Sequence, residues 1–264
     1  MSYDELFDLS GKTIVVTGGL GKLGQVFTKG LLNGGAKVAI LDVTASHDEE
    51  TDNLLVVKTD ITDRNEVQKA FHRVSAVLGT PEGLINNAGI DSPPDASGTE
   101  NGPFETVSRD SFNRVLDVNV TGAVICCQIF GGQMAKAQGG SIVNIGSMYG
   151  VVSPDQRLYE FRRNKGEMFF KPAAYGASKA ALDNLTKYLS TYWADKNVRV
   201  NTLCFGGFFA DQPREFLDGY EAKCPMRRMA DPSEALGPAI FLLSRASSYM
   251  TGARLTIDGG FTAL

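Results

Sequence analysis

The sequence predicts an α/β protein: a single domain built on a doubly wound parallel sheet with helices on both faces. Three observations predict it. Short β-branched or apolar runs alternate with amphipathic stretches along most of the 264 residues, the pattern that parallel sheets covered by helices require. A glycine-rich turn, Thr17-Gly18-Gly19-Leu20-Gly21-Lys22-Leu23-Gly24, separates the first such run from the first helix. No internal repeat or low-complexity tract interrupts the alternation, so one large domain is expected where the length alone would also permit two small ones.

Each element has its own justification. Residues 12–17 form a β-branched run that ends in glycines, a buried strand entering a turn. Residues 22–33 read as a helix closed by Gly34-Gly35, and 37–42 as the next strand. A strand over 54–58, a helix over 63–78 and a strand over 83–86 continue the series. Residues 108–130 are expected to be helical, 141–146 a strand, 172–194 a long helix and 198–203 a strand. The last helix is placed at 232–245 and the last strand at 254–257. Two connections are long for this architecture: 90–107, rich in Pro, Gly and Asp, and 148–171.

Composition bounds the function. With 43% hydrophobic residues the chain can bury a full core, and a net charge of −4 argues against nucleic acid as a partner. No run of 18 apolar residues appears, so no membrane span is expected. Asp4, Glu5 and Asp8 give the first ten residues the wrong charge for a targeting peptide. Cys126, Cys127, Cys204 and Cys224 have neither metal-ligand nor redox spacing, and His47 and His72 lie in polar surroundings as surface residues. The expectation is a reduced, cytoplasmic protein without a metal, and Cys126-Cys127 belong to an apolar helix face in the core.

The glycine turn carries the first chemistry. Glycines between a strand and a helix let backbone N–H groups approach a pyrophosphate at the helix N-terminus. Gly19-Leu20-Gly21-Lys22-Leu23-Gly24 is a G-x-G-x-x-G in that context, so the sheet is expected to be Rossmann-type. Asp42 ends the second strand at the distance expected of a ribose-binding acid. A carboxylate there accepts bonds from ribose hydroxyls and repels a 2′-phosphate, which selects NAD.

The second chemistry is a pair. Tyr175 and Lys179 stand four residues apart on the long helix, so phenol and ammonium share one face. A phenol titrates at about 10 when unperturbed. A neighbouring ammonium favours phenolate and lowers that value toward the working range of an acid–base catalyst. Ser147 lies upstream, at the end of the strand over 141–146.

These residues together resemble the short-chain dehydrogenase/reductase superfamily. The likeness spans essentially the whole chain and rests on Thr17 to Gly24, Asp42, Asp60-Ile61, Asn86-Asn87-Ala88-Gly89, Asn119, Ser147, Tyr175, Lys179, Arg199-Val200-Asn201 and Asp258-Gly259-Gly260. It implies an enzyme that interconverts a secondary alcohol and a ketone with NAD. Tyr175 would exchange a proton with the reacting oxygen, and Lys179 would lower the tyrosine pKa and hold the nicotinamide ribose. Ser147 would hydrogen-bond the same oxygen, and Asn119 would hold a water that relays protons to Lys179. Gly18, Gly21, Lys22, Leu23 and Gly24 would receive the pyrophosphate, Asp60 and Ile61 would flank the adenine, and Asn87, Ala88 and Gly89 would support the sheet beside the cofactor. Two departures stand out. Compact members carry glycine at the position of Lys22, where this chain supplies Gly21 one place earlier. Their Pro-Gly after the sixth strand is Phe205-Gly206 here, with Gly206 beside the nicotinamide carboxamide.

More narrowly, residues 153–159 and 186–193 resemble bacterial flagellin-glycosylation oxidoreductases, implying a sugar-derived substrate. The family implies a homotetramer in which the helix over 172–194 packs on its partner. That helix offers Leu182, Leu185, Tyr188, Leu189 and Tyr192 at helical spacing.

The 148–171 stretch joins Ser147 to the Tyr175 helix and reads as an insertion forming a substrate lid. Arg157, Arg162, Arg163, Lys165 and Lys171 against Asp155, Glu160 and Glu167 suggest an anionic sugar derivative, with Arg157 as its contact. The same loop would equally serve to dock on a neighbouring subunit. Two other functions stay open: a 3-oxoacyl thioester reductase, disfavoured by Asp42, and a cofactor-sensing binding module, disfavoured by the intact Ser147, Tyr175 and Lys179.

Overall fold

Thr13–Thr17 (β1) is buried throughout, and its side chains alternate between two apolar layers: Ile14 and Val16 enter one, Val15 the other. Only a strand covered on both faces has that pattern. The computed structural model describes residues 2–46, 48–91 and 101–264, so His47 and the 92–100 part of the long 90–107 connection lie outside the described residues. Lys37–Asp42 (β2), Glu49–Glu50 (β3), Leu54–Lys58 (β4), Gly83–Asn86 (β5), Gly140–Ser147 (β6), Val198–Phe205 (β7) and Arg254–Ile257 (β8) join β1 in one sheet of order β3-β4-β2-β1-β5-β6-β7-β8. Every pairing is parallel except that of β3, which lies antiparallel on β4. The chain moves outward from β1 to β4 in one direction and from β5 to β8 in the other. This reversal opens a crevice beyond the carboxyl ends of β1 and β5, where such sheets bind ligands.

The helices are α1 (Tyr3–Phe7), α2 (Lys22–Asn33), α3 (Arg64–Val77), α4 (Arg109–Leu116), α5 (Ala123–Cys126), α6 (Gly132–Lys136), α7 (Glu160–Asn164), α8 (Ala173–Tyr192), α9 (Arg214–Lys223) and α10 (Leu236–Leu243). α2 and α10 cover one face of the sheet through Phe27, Leu31, Ala239 and Leu242. α3, α5, α6 and α8 cover the other through Val67, Val74, Cys126, Met134 and Leu189. Burial pushes the thiols of Cys126 and Cys127 up, the latter to about 12, as core cysteines require.

Two elements depart from the sequence reading. The helix expected over 108–130 runs on to Lys136, because π-helical turns at Asp117–Gly122 and Cys127–Gly131 join α4, α5 and α6 into one Arg109–Lys136 helix. Gly131-Gly132 would ordinarily weaken a helix, yet here close packing requires glycine at 131: a Cβ there would lie 2.7 Å from Trp193 and 2.9 Å from Ile142. By length and composition alone this helix could cross a membrane, but half of its most apolar window is buried inside the fold.

The second departure is the 148–171 connection, which folds as a cap. It contains 3₁₀ turns at Met148–Gly150 and Gln156–Tyr159, followed by α7. Met148, Leu158, Tyr159 and Phe169 pack against Phe216 and Tyr220 of α9 in a third apolar cluster. The Tyr159 ring lies 5.0 Å from that of Phe169 and 5.6 Å from that of Phe216, so this layer has its own small core.

Candidate active site

A cleft of about 760 Å³ opens at the strand reversal, lined from Gly18 and Asp42 at one end to Ser147, Tyr175 and Gly206 at the other. Its first wall is the glycine turn. Gly18 has φ +62°, and a Cβ there would lie 2.8 Å from the Cα of Ala88. A Cβ at Gly24 would sit 2.2 Å from the Gly18 carbonyl oxygen, so this position must be glycine if helix and turn are to touch. Gly21 caps α2 without a side-chain hydrogen bond, which leaves the first N–H groups of a twelve-residue helix available to an anion. Lys22 and Leu23 line the same wall.

Around this turn the polar residues hold one another. Asn87 donates from Nδ2 to the carbonyls of Thr17 and Gly18, 3.0 Å each, and the backbone N–H groups of Asn87 and Ala88 donate to Thr17 Oγ1. Asp42 is buried at the end of β2; its Oδ2 accepts from Leu20 N at 3.0 Å, and its Oδ1 accepts from Thr44 N and Oγ1 at 2.9 and 2.7 Å. Asp60 accepts from Thr62, Ile61 is buried beside Gly122, and Gly89 and Gly206 complete the lining. The expected dinucleotide residues thus line one continuous surface with bare N–H groups and a carboxylate at opposite places, and this donor set fits a dinucleotide.

At the other end, β6 delivers Ser147 and α8 delivers Tyr175 and Lys179. The Ser147 hydroxyl accepts from Tyr149 N at 3.2 Å and lies near enough to the Tyr175 phenol to favour its ionised form. Lys179 is buried, donates to the Ile145 carbonyl at 2.8 Å, and has its Nζ 5.6 Å from the Tyr175 ring centroid. Burial lowers Lys179 to about 8. The expectation that Lys179 lowers the phenol is not met. Desolvation, followed by the nearby Asp91 charge, pushes Tyr175 above its ordinary value, and only the Ser147 hydroxyl opposes this.

Asn119 is buried, and its side-chain amide is engaged by protein: Oδ1 accepts from Ile90 N at 2.8 Å, and Nδ2 donates to Ile90 O at 3.1 Å and Ser178 Oγ at 2.9 Å. It sits in the π-helical turn at Asp117–Gly122 and fastens the segment after β5 to α8.

The largest correction concerns the cap. Arg157 is not brought to the cleft; its exposed guanidinium pairs with Asp155 at 2.7 Å. The other cations of the segment are also engaged within the fold. Arg162 pairs with Glu167 and stacks on Phe169, Arg163 donates to the carbonyls of Phe169 and Gln156, and Lys165 pairs with Glu215 of α9 at 3.0 Å. The local positive excess therefore serves cap architecture, and none of these groups lines the cleft. Lys171 matters instead. It is buried, in contact with Asp91, and its Nζ lies 4.9 Å from the Tyr175 ring centroid. Asp91 and Lys171 are 80 positions apart in sequence, so no local pattern links them.

Known proteins agree with this architecture. A family model described as Enoyl-(Acyl carrier protein) reductase matches residues 22–262. The NADH-dependent L-xylulose reductase of Ambrosiozyma monospora is 32% identical over 99% of this chain and 98% of its own. The galactitol 2-dehydrogenase of Rhizobium johnstonii is 32% identical over 99% of each. A solved short-chain dehydrogenase from Leptospira borgpetersenii with bound NAD+ matches with a TM-score of 0.86 and 33% identity, over 99% of this chain and 96% of that one. The chain belongs to the short-chain dehydrogenase/reductase superfamily and is an oxidoreductase acting on CH–OH groups.

Proposed function

We propose that the protein interconverts a secondary alcohol and a ketone on a neutral, sugar-derived polyol, with NAD(H) as the redox partner. The observation that carries this reading is the convergence of Ser147, Tyr175 and Lys179 on one end of a cleft whose other end holds Asp42 and the glycine turn. Bound there, the dinucleotide would supply the hydride acceptor or donor at nicotinamide C4. Gly18, Gly21, Lys22, Leu23 and Gly24 hold its pyrophosphate, Asp42 its adenosine ribose, and Asp60 and Ile61 its adenine. Asn87, Ala88 and Gly89 support it, and Gly206 meets the carboxamide. Ser147 orients the reacting oxygen and stabilises charge developing on it. Tyr175 exchanges the hydroxyl proton, and Lys179 binds the nicotinamide ribose.

A neutral substrate replaces an anionic one because the cap cations are engaged within the fold. The polyol and ketose relatives support the same class, as does the likeness of residues 153–159 and 186–193 to flagellin-glycosylation oxidoreductases. The cap over 148–171 bounds the substrate side.

The test is turnover. Purified protein with NAD+ and a panel including galactitol and threitol should produce NADH, read by absorbance. Turnover of an acetoacetyl thioester with NADPH, and none of polyols, would instead favour the thioester reductase. Dinucleotide binding without any turnover would favour the sensor. Fluorescence titration should give tighter NADH than NADPH binding, and Asp42→Ala should narrow that gap; equal affinities in the wild type would remove Asp42 from cofactor selection.

A further inference from the structure

The turn after β7 is held in place by a phenol. β7 ends at Phe205, and the backbone N–H groups of residues 206–209 go to different partners. Gly206 N donates to the Ile257 carbonyl at 2.9 Å, and Phe209 N donates to the Ala230 carbonyl at 2.8 Å. Gly207 N finds no backbone acceptor and donates instead to Tyr220 Oη at 2.8 Å. The Phe208 N–H has no partner among the described residues, and both Gly206 and Phe208 line the cleft. The turn therefore presents one free backbone donor beside the cleft while the N–H groups around it are fixed by the fold.

Tyr220 is rooted in the other layer of the molecule. It comes from α9 and is 2% exposed, and its ring lies 6.2 Å from that of Phe216 and 5.2 Å from that of Phe261. Its hydroxyl reaches beyond this apolar cluster to the turn. A Cβ at Gly206 would lie 2.9 Å from Tyr220 Oη and 2.9 Å from Asp258 Cα, so this residue is wedged between phenol and backbone. A Cβ at Gly207 would lie 2.6 Å from Met229 Cε and 3.0 Å from the Tyr220 ring. Burial pushes the phenol up to about 12, so near neutral pH it accepts the Gly207 bond as an uncharged hydroxyl. Tyr220 does not itself line the cleft, and any effect on a ligand passes through the turn.

We infer that Tyr220 is a positioning residue for the nicotinamide end of the dinucleotide: its phenol oxygen fixes Gly207 and so sets the course of the Gly206–Phe208 turn along the cleft. Nothing else in the fold bonds that N–H, so the oxygen alone holds this point of the turn. Such support from behind is what pre-organises a binding surface. α9, which packs under the substrate cap, thereby also reaches the cofactor turn. The inference rests on the proposed dinucleotide reading and adds the residue that holds the nicotinamide end of its site.

The experiment measures Kd by isothermal titration calorimetry for NADH and for ADP-ribose, which lacks the nicotinamide, in wild type and Tyr220→Phe. The variant keeps the ring and its contacts with Phe216 and Phe261 and removes only the oxygen. NADH binding should weaken by about 3- to 10-fold, the worth of one uncharged hydrogen bond, while ADP-ribose binding stays as in the wild type. A loss of stability alone would not separate the two ligands, so their affinity ratio is the readout that a merely structural role leaves unmoved. A ratio within about 1.5-fold of wild type in a folded variant, checked by circular dichroism, makes Tyr220 a packing residue of the cap and overturns the inference, whether or not both affinities fall together. If the wild type binds neither NADH nor ADP-ribose, the dinucleotide reading fails and takes this inference with it; that result is distinct from binding of both with an unaltered ratio.

Discussion

Tyr175 has ammonium groups near its ring at 4.9 and 5.6 Å, and yet its phenol is held up. Each lysine already has an oxygen partner, Asp91 for one and the Ile145 carbonyl for the other, and the burial that favours their neutral forms also favours neutral phenol. Proton exchange therefore depends on the hydroxyl itself. Tyr175→Phe keeps the ring and should leave dinucleotide binding intact while lowering turnover by about 10²-fold or more, measured by steady-state kinetics. Near-normal turnover would remove Tyr175 from the mechanism. Lys179 makes a separate prediction. Its native value of about 8 lies below the ordinary 10.5, so between those values the unfolded chain holds a proton that the native chain has lost. Stability then rises with pH across that window: the burial penalty is full below about 8 and relieved above 10.5. Thermal melts should show the wild type gaining on Lys179→Met as pH rises from 8 toward 10, and a constant difference would contradict the assignment.

At the scale of elements, the cap and α9 behave as one unit. Phe216 is 5% exposed and packs on Tyr159, so Phe216→Ala should remove about 3 kcal/mol of packing. The sheet has separate cores, so the loss should fall on the cap. Limited proteolysis is expected to cut within 148–171 while affinity for the dinucleotide persists, and uniform destabilisation measured by hydrogen exchange would reject an independent cap core. The sequence showed the sheet well because β1, β2, β5, β6 and β7 are apolar runs whose burial is dictated locally. Asp42, Ser147, Tyr175 and Lys179 were legible because each occupies a fixed place at a strand end or on a helix face. α9 was missed, although Pro213 at its cap and Phe216 and Tyr220 at i, i+4 were signals for it. Arg157 was misjudged because charge counted along a loop does not reveal its partner. The Asp91–Lys171 pair could not be read at all, since only the fold brings its members together.

For the whole molecule, the question is what covers the outer face of α8. Leu182 and Leu189 are buried in the chain's own core, whereas Tyr188 and Tyr192 are each 61% exposed and stack at 5.9 Å between ring centroids. The helix thus has more apolar surface than its own sheet covers. A second feature is β8, the last strand in the sheet order, whose outer edge has no neighbouring strand among the described residues. Two separate patches, if each meets its own copy across a two-fold axis, close a tetramer rather than a dimer. We therefore expect light scattering to give a mass near four chains of 28.4 kDa. Replacing Tyr188 and Tyr192 together by Glu should bury charge at one interface while leaving the other intact, so the species should fall to a pair of chains. A wild-type mass near one chain would reject the assembly and leave the tyrosine pair as ordinary surface.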